Sequence, residues 1–413
     1  MADETLSDAA PARFGRVMLV VFLPFACGYF FSYLYRSVNA VVAPSLRAAL
    51  GLDAGALGLL TAAYFFSFAA FQIPLGVLLD RYGPRRVQAT LYCVAGLGAL
   101  LFALAESLPA LIAARALIGF GVAGGLMAAL KAFALWFPRD KLALVNGWYF
   151  GSGGLGALFA TEPVAWGVEQ VGWRGVFIVL AAGTVAAAVL IFATVPEKRG
   201  SAAGGTLLEQ TRALATIYRD PFFWRVVPLM FTCASSNMAI QGLWAGPWLT
   251  DVDGLSPDAA AEGLFAMAFA LTIGTLLSGS AANALGRFGV SLGGAAAVGA
   301  ALYIAVQLVI VLRPGLPPAA LWAAFGLTFP LVTVVFAALA QRYPPSHIGR
   351  VNTAANVLIF SAAFTYQYGL GAIVNLWDKL PSGAYPPTAY VSAFAVAIFT
   401  QGAALAWFLA RSR

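Results

Sequence analysis

The chain is dominated by long apolar runs that follow one another with short connections. A transmembrane helix needs about 20 mainly apolar residues to cross a hydrocarbon core of about 30 Å, and we find twelve such runs. They cover residues 17–46, 54–79, 86–106, 109–137, 142–166, 171–195, 222–249, 259–285, 288–312, 317–341, 350–376 and 388–410. The runs are continuous, whereas a transmembrane barrel would alternate apolar and polar residues in segments of about ten. We therefore predict an all-α integral membrane protein.

The composition supports a membrane location, because 61% of the residues are hydrophobic and only 10% are charged. Most Lys and Arg residues fall in alternate connections, which places those connections and both termini in the cytoplasm by the positive-inside rule. This distribution, rather than the net charge of +7, argues against nucleic-acid binding. The three cysteines lie inside apolar runs without metal-ligand or redox spacing. We expect a monomer in a bacterial inner membrane, with no metal and no cofactor.

A weak internal repeat divides the chain. Landmarks of the first half recur about 203 residues later: Pro44 falls on Pro247, Gly76 on Gly279 and Asp80 on Asn283. The repeat predicts two six-helix halves, residues 1–195 and 222–413. Residues 196–221 then form a cytoplasmic linker with an amphipathic helix whose apolar side faces the bilayer.

The connection between the second and third runs reads GVLLDRYGPRR and fits the pattern G-x-x-x-D-R-x-G-x-R-R. Its pattern residues are Gly76, Asp80, Arg81, Gly83, Arg85 and Arg86. This motif resembles the loop between helices 2 and 3 of major facilitator superfamily transporters, and the twelve runs and the repeat extend the resemblance over essentially the whole chain. The resemblance implies two pseudo-symmetric bundles that bind a solute between them and rock to alternate access. It also implies a gate in which Asp80 meets the start of helix 11, near residues 350–352, when the cytoplasmic side is closed.

Three ionisable residues are predicted to lie within the membrane, where charges are costly and usually face a cavity or a partner: Arg36, Lys131 and Glu162. Arg36 shares a helical face with Tyr29, Tyr33 and Asn39, which makes a polar and aromatic stripe.

The segment around Arg36 resembles helix 1 of the organophosphate and sugar-phosphate antiporters, in the organic-anion permease branch of the superfamily. In that branch the matching arginine binds the anionic group. Those antiporters carry a second arginine in helix 7, where the repeat mate of Arg36 is Ala239. A carboxylate or a zwitterion therefore fits better than a phosphate. An arginine held by a neighbouring helix, without a substrate role, is the structural alternative.

Glu162 is the predicted partner of Arg36 and a candidate proton carrier, because a carboxyl in a low-dielectric cavity can load and release a proton. A fixed ion pair that braces the first half is the alternative. Lys131 either adds a second positive charge at the inner end of the cavity or extends its long stem to the membrane surface.

The second half offers amide and aromatic faces on two helices, which are suited to the uncharged part of a solute. They consist of Asn237, Gln241 and Trp244 on helix 7 and Asn356 and Gln367 on helix 11. In helix 4, Arg115 with Gly119 and Gly121 resembles the superfamily motif R-x-x-x-G-x-G, although small residues also permit close helix packing.

These patterns predict a secondary active transporter that takes up a small organic anion or zwitterion of the carboxylate, amino acid or peptide type, coupled to protons. The alternatives are a multidrug or metabolite efflux pump and a metal or siderophore importer. An enzyme or receptor is a further alternative, but the sequence has no nucleophile and base pair and no phosphate-binding glycine loop. We therefore expect no catalytic activity.

Overall fold

The computed structural model describes residues 11–138, 141–197, 214–312, 315–343 and 345–410. This part of the chain is 88% helical and contains no strand. Ten of its helices are long and apolar enough to cross a membrane, judged by length and composition. The prediction of an all-α membrane fold is confirmed.

Two glycines divide the longest helical stretches. Gly83 interrupts Ala54–Leu104 with φ 80° and ψ 160°, and Gly172 interrupts Glu162–Thr194 with φ 68° and ψ 168°. Glycine has no Cβ and adopts these positive φ angles readily, whereas other residues do so at a steric cost. With both stretches divided, and with residues 162–171 assigned to the helix that precedes them, the described residues form the twelve helices of the sequence prediction.

The helices of the first half are α1 (Leu23–Ser37 and Asn39–Leu50), α2 (54–82), α3 (84–104), α4 (Leu108–Val122 and Gly125–Trp136), α5 (Leu142–Phe159 and 162–171) and α6 (173–194). Pro11–Val17 and Met18–Phe22 precede α1 as helical turns. Those of the second half are α7 (Pro221–Ala239, continued by Ile240–Trp244, Ala245–Pro247 and Trp248–Val252), α8 (Pro257–Arg287), α9 (Leu292–Leu312), α10 (Pro318–Val332 and Val335–Arg342), α11 (Pro345–Val374) and α12 (Pro387–Ala410).

Several of these helices are irregular. The hydrogen-bond ladder of α1 is broken at Val38, although Val38 keeps helical backbone angles (φ −55°, ψ −31°), whereas the backbone of α5 leaves the helical conformation at residues 160–161, just before Pro163. Proline has no N–H to donate and clashes with the preceding turn, so it accounts for the break in α5. No proline or glycine stands at the break in α1. Backbone freed at membrane depth needs new partners, and in transporters such breaks often lie beside binding sites.

The two halves pack through α2 against α11, α5 against α8, and α1 against α7. The backbones of α1 and α7 approach closely, since a Cβ added to Gly246 would lie 2.1 Å from the carbonyl oxygen of Ala40. We name the end of the molecule where α1 ends and α2 begins the Arg47 end. The opposite end, where α2 ends and α3 begins, is the Asp80 end.

Most of the predicted linker helix falls on residues 198–213, outside the described residues. Its last turn is described, and there Leu214 and Ile217 are buried in the protein. The hydroxyl of Tyr218 donates to the carbonyl oxygen of Ala354 on α11 at 3.0 Å. This turn therefore packs on the second half and not on the bilayer, while the domain limits themselves stay predictions.

Candidate functional site

Arg36 lies at the meeting of the two halves, two residues before the break in α1. Its guanidinium carbon is 4.5 Å from the ring centre of Tyr33 and 5.6 Å from that of Phe360 on α11. Its Nε is buried and has no hydrogen-bond partner within the described residues. No described carboxylate lies within ion-pair distance of this guanidinium. The site therefore holds a positive charge whose protein neighbours are mainly aromatic rings.

A second arginine, Arg115 on α4, is fully buried close to the same break. Its Nη2 donates to the carbonyl oxygen of Tyr35 at 2.6 Å, and its guanidinium carbon lies 5.0 Å from the ring centre of Tyr64. The sequence analysis counted three ionisable residues inside the membrane, and that count is wrong because it omitted Arg115. Seven residues into α4, at 1.5 Å per residue, the side chain starts about 10 Å below the helix end.

Tyrosines surround the first-half side of the site. Tyr29 stacks on Tyr149 with ring centres 4.2 Å apart, and its hydroxyl donates to that of Tyr33 at 3.4 Å. Asn39 is buried and its Nδ2 donates to Thr61 on α2 at 2.8 Å. The structure therefore brings Tyr33 against Arg36, whereas Tyr29 and Asn39 support the surrounding helices.

The predicted residues of the second half separate into two groups. Trp244 and Gln367 are buried and joined to each other, with the indole N–H donating to the Gln367 backbone carbonyl at 3.3 Å. Asn237 is buried and within 3.5 Å of Gln241. Gln241 is only half-buried and lines a small cavity with residues of α1 and α5. Asn356 is half-buried and stands one turn before Phe360. Gln241 and Asn356 are therefore the better placed of these for contact with a solute.

The predicted pairing of Glu162 with Arg36 is wrong. Glu162 is exposed and lies one turn before Trp166, whose side chain is 66% exposed. The break at residues 160–161 restarts α5 at this position, and Glu162 forms no ion pair with Arg36.

Of the two alternatives for Lys131, the structure favours the one in which its long stem extends towards the end of the helices and not the one in which its charge lies in the cavity. Its ammonium forms an ion pair with Asp80 and donates to the carbonyl oxygen of Leu79 at 2.9 Å. The long side chain thus reaches the end of α2, so Lys131 belongs to the Asp80 end.

The other motif residues hold α2 and α3 against the end of α6. Glu197 forms an ion pair with Arg86, with 3.2 Å between Oε2 and Nε, and Arg85 donates to the carbonyl oxygen of Phe192 at 2.9 Å. Arg81 lies over the ring of Tyr82, and Gly76 is half-buried. The predicted contact of Asp80 with the start of α11 involves side chains 345–350, which lie outside the described residues.

The Arg47 end is closed by a network that the sequence analysis did not predict. Arg47 on α1 forms an ion pair with Asp251 on α7, with 3.0 Å between Nη1 and Oδ2, and the hydroxyl of Tyr390 donates to the same carboxylate oxygen. Nη2 of Arg47 donates to the carbonyl oxygen of Gly383 at 3.3 Å. The internal repeat was the sequence signal that could have indicated this pair. At an offset of 203 residues, Arg47 aligns with the residue just before Asp251.

A second set of bonds joins the halves at the same end. Asn375 at the end of α11 donates to Asp53 at 3.4 Å and accepts from the hydroxyl of Tyr385 at 2.6 Å. That hydroxyl also accepts from the backbone N–H of Ala54 at 3.2 Å. Burial raises the pKa of Tyr385, so the hydroxyl can donate to Asn375 up to a higher pH than an ordinary tyrosine could.

The chain is similar in sequence to known membrane proteins. The model of the Major Facilitator Superfamily matches residues 25–367. The probable sulfoacetate transporter SauU of Cupriavidus necator is 29% identical over 240 residues, which are 55% of this chain and 56% of that protein. The hexuronate transporter of Escherichia coli K12 is 28% identical over 152 residues, 37% of this chain and 35% of that protein. The chain thus aligns with between a third and somewhat over half the length of these relatives.

A solved structure resembles the whole chain in fold. The bacterial homologue of the human lysosomal transporter Spinster, in its inward-facing and occupied conformation, matches with a TM-score of 0.78 over 98% of each chain. The sequence identity of 18% limits this likeness to the fold. Within the described residues no group of three or more His, Cys, Asp or Glu could hold a metal ion.

Proposed function

Because the chain belongs to the major facilitator superfamily, we propose that it is a secondary transporter that moves a small organic anion across the membrane by alternating access. The observation that carries the proposal is the guanidinium of Arg36, which lies between the halves without a carboxylate partner among the described residues. A charge at membrane depth is expensive unless it is paired. A bound anion supplies the missing partner.

The chemistry of the arginine favours an oxyanion. Guanidinium is planar and always charged, and its N–H edge matches a carboxylate in two parallel hydrogen bonds. Arg115 adds positive charge nearby, and its own bond to the Tyr35 carbonyl keeps it inside the first half. Gln241 and Asn356 are half-buried amides that contact the rest of the solute in this proposal.

The relatives support the same class of solute. Their names refer to sulfoacetate and hexuronate, both organic acids. For this chain we propose a carboxylate-bearing solute, with a zwitterion as the close variant.

The energy source and the direction of transport are further parts of the proposed function. We propose proton-coupled uptake by a monomer in a bacterial inner membrane, with both termini in the cytoplasm. Because Glu162 is exposed and apart from Arg36, any proton that it carries is coupled to the anion through the movement of α5 and not by direct contact. The closed Arg47 end then faces away from the cytoplasm.

Uptake into proteoliposomes tests the proposal. The panel contains sulfonated and sugar-derived acids, amino acids, short peptides and sugar phosphates, each with and without an inward proton gradient. We expect one acidic class to be transported by the wild type and lost in Arg36→Ala, because a carboxylate bound there loses its charge partner. Arg174→Ala, which removes an arginine over Trp173 at the start of α6, is the matched control and should transport normally.

Other outcomes contradict parts of the proposal. Normal transport by Arg36→Ala, or transport of bulky cations alone, would make Arg36 structural and favour an efflux pump. If uptake ignores the gradient, or if Glu162→Gln keeps the full response to it, the proton role of Glu162 is wrong while the anion site stands.

A further inference from the structure

Phe360 is the aromatic residue of the second half that the structure places against Arg36. The guanidinium carbon of Arg36 is 5.6 Å from its ring centre, within the distance at which a cation is attracted to the face of an aromatic ring. Tyr33, from the helix of Arg36 itself, lies at 4.5 Å. The arginine is therefore held by one ring from each half.

The position of Phe360 is fixed by its own packing. Its ring centre lies 4.0 Å from that of Phe68 and 6.3 Å from that of Phe65, both on α2 of the first half. Only 6% of the residue is exposed. An aromatic side chain packed in this way cannot move without disturbing the contact between α2 and α11.

We propose that Phe360 is a positioning residue that acts on the solute through Arg36, and this inference rests on the proposed anion-binding function. The rings of Tyr33 and Phe360 lie against the guanidinium, and Tyr64 is hydrogen-bonded to the same side chain, so an anion approaches the N–H groups that these neighbours leave unpaired. The unpaired Nε is one of these groups. A flat or three-oxygen anionic group, a carboxylate or a sulfonate, is bound edge-on by such an arginine.

The arrangement also makes anion binding depend on the closure of the Arg47 end. Phe360 belongs to the second half and Arg36 to the first, so rocking that separates α2 from α11 takes the ring away from the guanidinium. The anion site is thus completed only when the two helices meet.

Three variants test the inference. Phe360→Leu keeps an apolar side chain without a π-face, and Phe360→Tyr keeps the ring. Phe364→Leu is the matched control, because Phe364 lies one turn further along α11 and contacts Phe66 of α2, with 5.7 Å between ring centres. For each variant the equilibrium affinity, KM and maximal rate are measured with the acid that the wild type transports best, in parallel with Arg36→Ala.

We expect Phe360→Leu to weaken the affinity and raise KM about tenfold, the size that a desolvated cation–π contact allows. Phe360→Tyr should stay within about threefold of the wild type, and Phe364→Leu should keep the wild-type KM. Unchanged affinity in Phe360→Leu overturns the inference. Equal loss in Phe360→Leu and Phe360→Tyr, or in Phe360→Leu and Phe364→Leu, also overturns it, because the effect would then be one of packing.

The two proposals fail in different ways. If the wild type binds no acid, or if Arg36→Ala binds it normally, the proposed function fails and the inference fails with it. If Arg36→Ala loses binding while Phe360→Leu keeps it, only the role of Phe360 is wrong.

Discussion

At the scale of single residues, the cations at membrane depth differ in the hydrogen-bond and ion-pair partners that the protein gives them. Lys131 has both a carboxylate and a carbonyl partner at the Asp80 end. Arg115 has one carbonyl partner, with its Nε and Nη1 unpaired, and Arg36 has aromatic neighbours with its Nε unpaired. Leaving a buried donor unsatisfied costs about 1–3 kcal/mol. Both arginines therefore have donors left for an anion, and Arg36 is the one that lies between the two halves, whereas Lys131 acts on the end of α2.

This difference predicts the kinetics of Lys131→Gln. We expect an unchanged KM, because the side chain is apart from the anion, and a maximal rate lowered up to about fivefold, since a partly exposed ion pair is worth at most about 1 kcal/mol. Asp80→Asn should lower the maximal rate to the same extent. The variant with both substitutions should be no slower than either single variant, because each of the three removes the same ion pair. Initial uptake rates over a range of solute concentrations give the KM and the maximal rate of each variant. A raised KM in Lys131→Gln would contradict this prediction and indicate that Lys131 contacts the anion.

The sequence could identify Arg36 and the motif of the Asp80 end, because charge inside an apolar run is visible without a structure. It could not assign Lys131, whose partner Asp80 stands 51 residues earlier and is reached only through the packing of α4 on α2. It also misplaced Glu162, because a regular α5 was assumed where residues 160–161 interrupt the helix. The burial of Arg115 could not be predicted, because its depth in the membrane depends on where α4 begins. Hydropathy locates the start of a helix only to within a few residues.

At the scale of helices, small residues let α4 approach its neighbours. A Cβ on Gly119 would lie 2.2 Å from the backbone oxygen of Tyr64 on α2, and one on Gly121 would lie 2.4 Å from the backbone nitrogen of Ala95 on α3. Real Cβ atoms essentially never come within 3.0 Å of such atoms. The glycines of the R-x-x-x-G-x-G pattern are thus required by packing, whatever else the motif does.

Alanine substitution tests this packing. Gly119→Ala should lower the melting temperature in detergent, with a loss of about 1–3 kcal/mol, because α2 and α4 must move apart. Gly147→Ala on α5 is the control, since no atom lies within 4 Å of its Cβ position and alanine favours helix over glycine. A melting temperature of Gly119→Ala at or above that of the control would contradict the close approach.

The sequence located the helices well, because a membrane demands long apolar runs whatever the tertiary contacts. It did not locate the break of α1 at Val38, where no proline or glycine marks it. Near that break, Arg115 of α4 donates to the Tyr35 carbonyl, and Gly246 of α7 lies against the Ala40 carbonyl, to which Pro44 cannot donate. Such contacts are tertiary and leave no local pattern.

At the scale of the whole molecule, the structure is a pair of six-helix halves held together at the Arg47 end. The side chains of Arg47 and Asp251 are 16% and 9% exposed, so their ion pair is largely shielded from water. Breaking a buried pair by removing one partner costs about 3–5 kcal/mol, because the other charge stays buried. In the alternating access that we propose, this pair breaks and reforms in each cycle.

Exchange of the two charges tests the role of the pair. Arg47→Asp should favour opening at this end, because two carboxylates then face each other, and Asp251→Arg should do the same with two guanidinium groups. In a background without the native cysteines, Asn375→Cys should react with a polar thiol reagent at least about tenfold faster in either single variant. The double variant should label at the original rate. Equal labelling in all four proteins would show that the pair does not control closure.

The Arg47–Asp251 pair also bears on how the protein is made. The two residues are 204 positions apart, and at roughly 5–20 residues per second the ribosome needs on the order of 10–40 s to pass from one to the other. During that interval neither Asp251 nor Gly383 exists, so the charge at the end of α1 lacks both of these partners. Helix α1 is therefore anchored after the second half enters the bilayer, and a chain that stops before Asp251 lacks this anchor altogether.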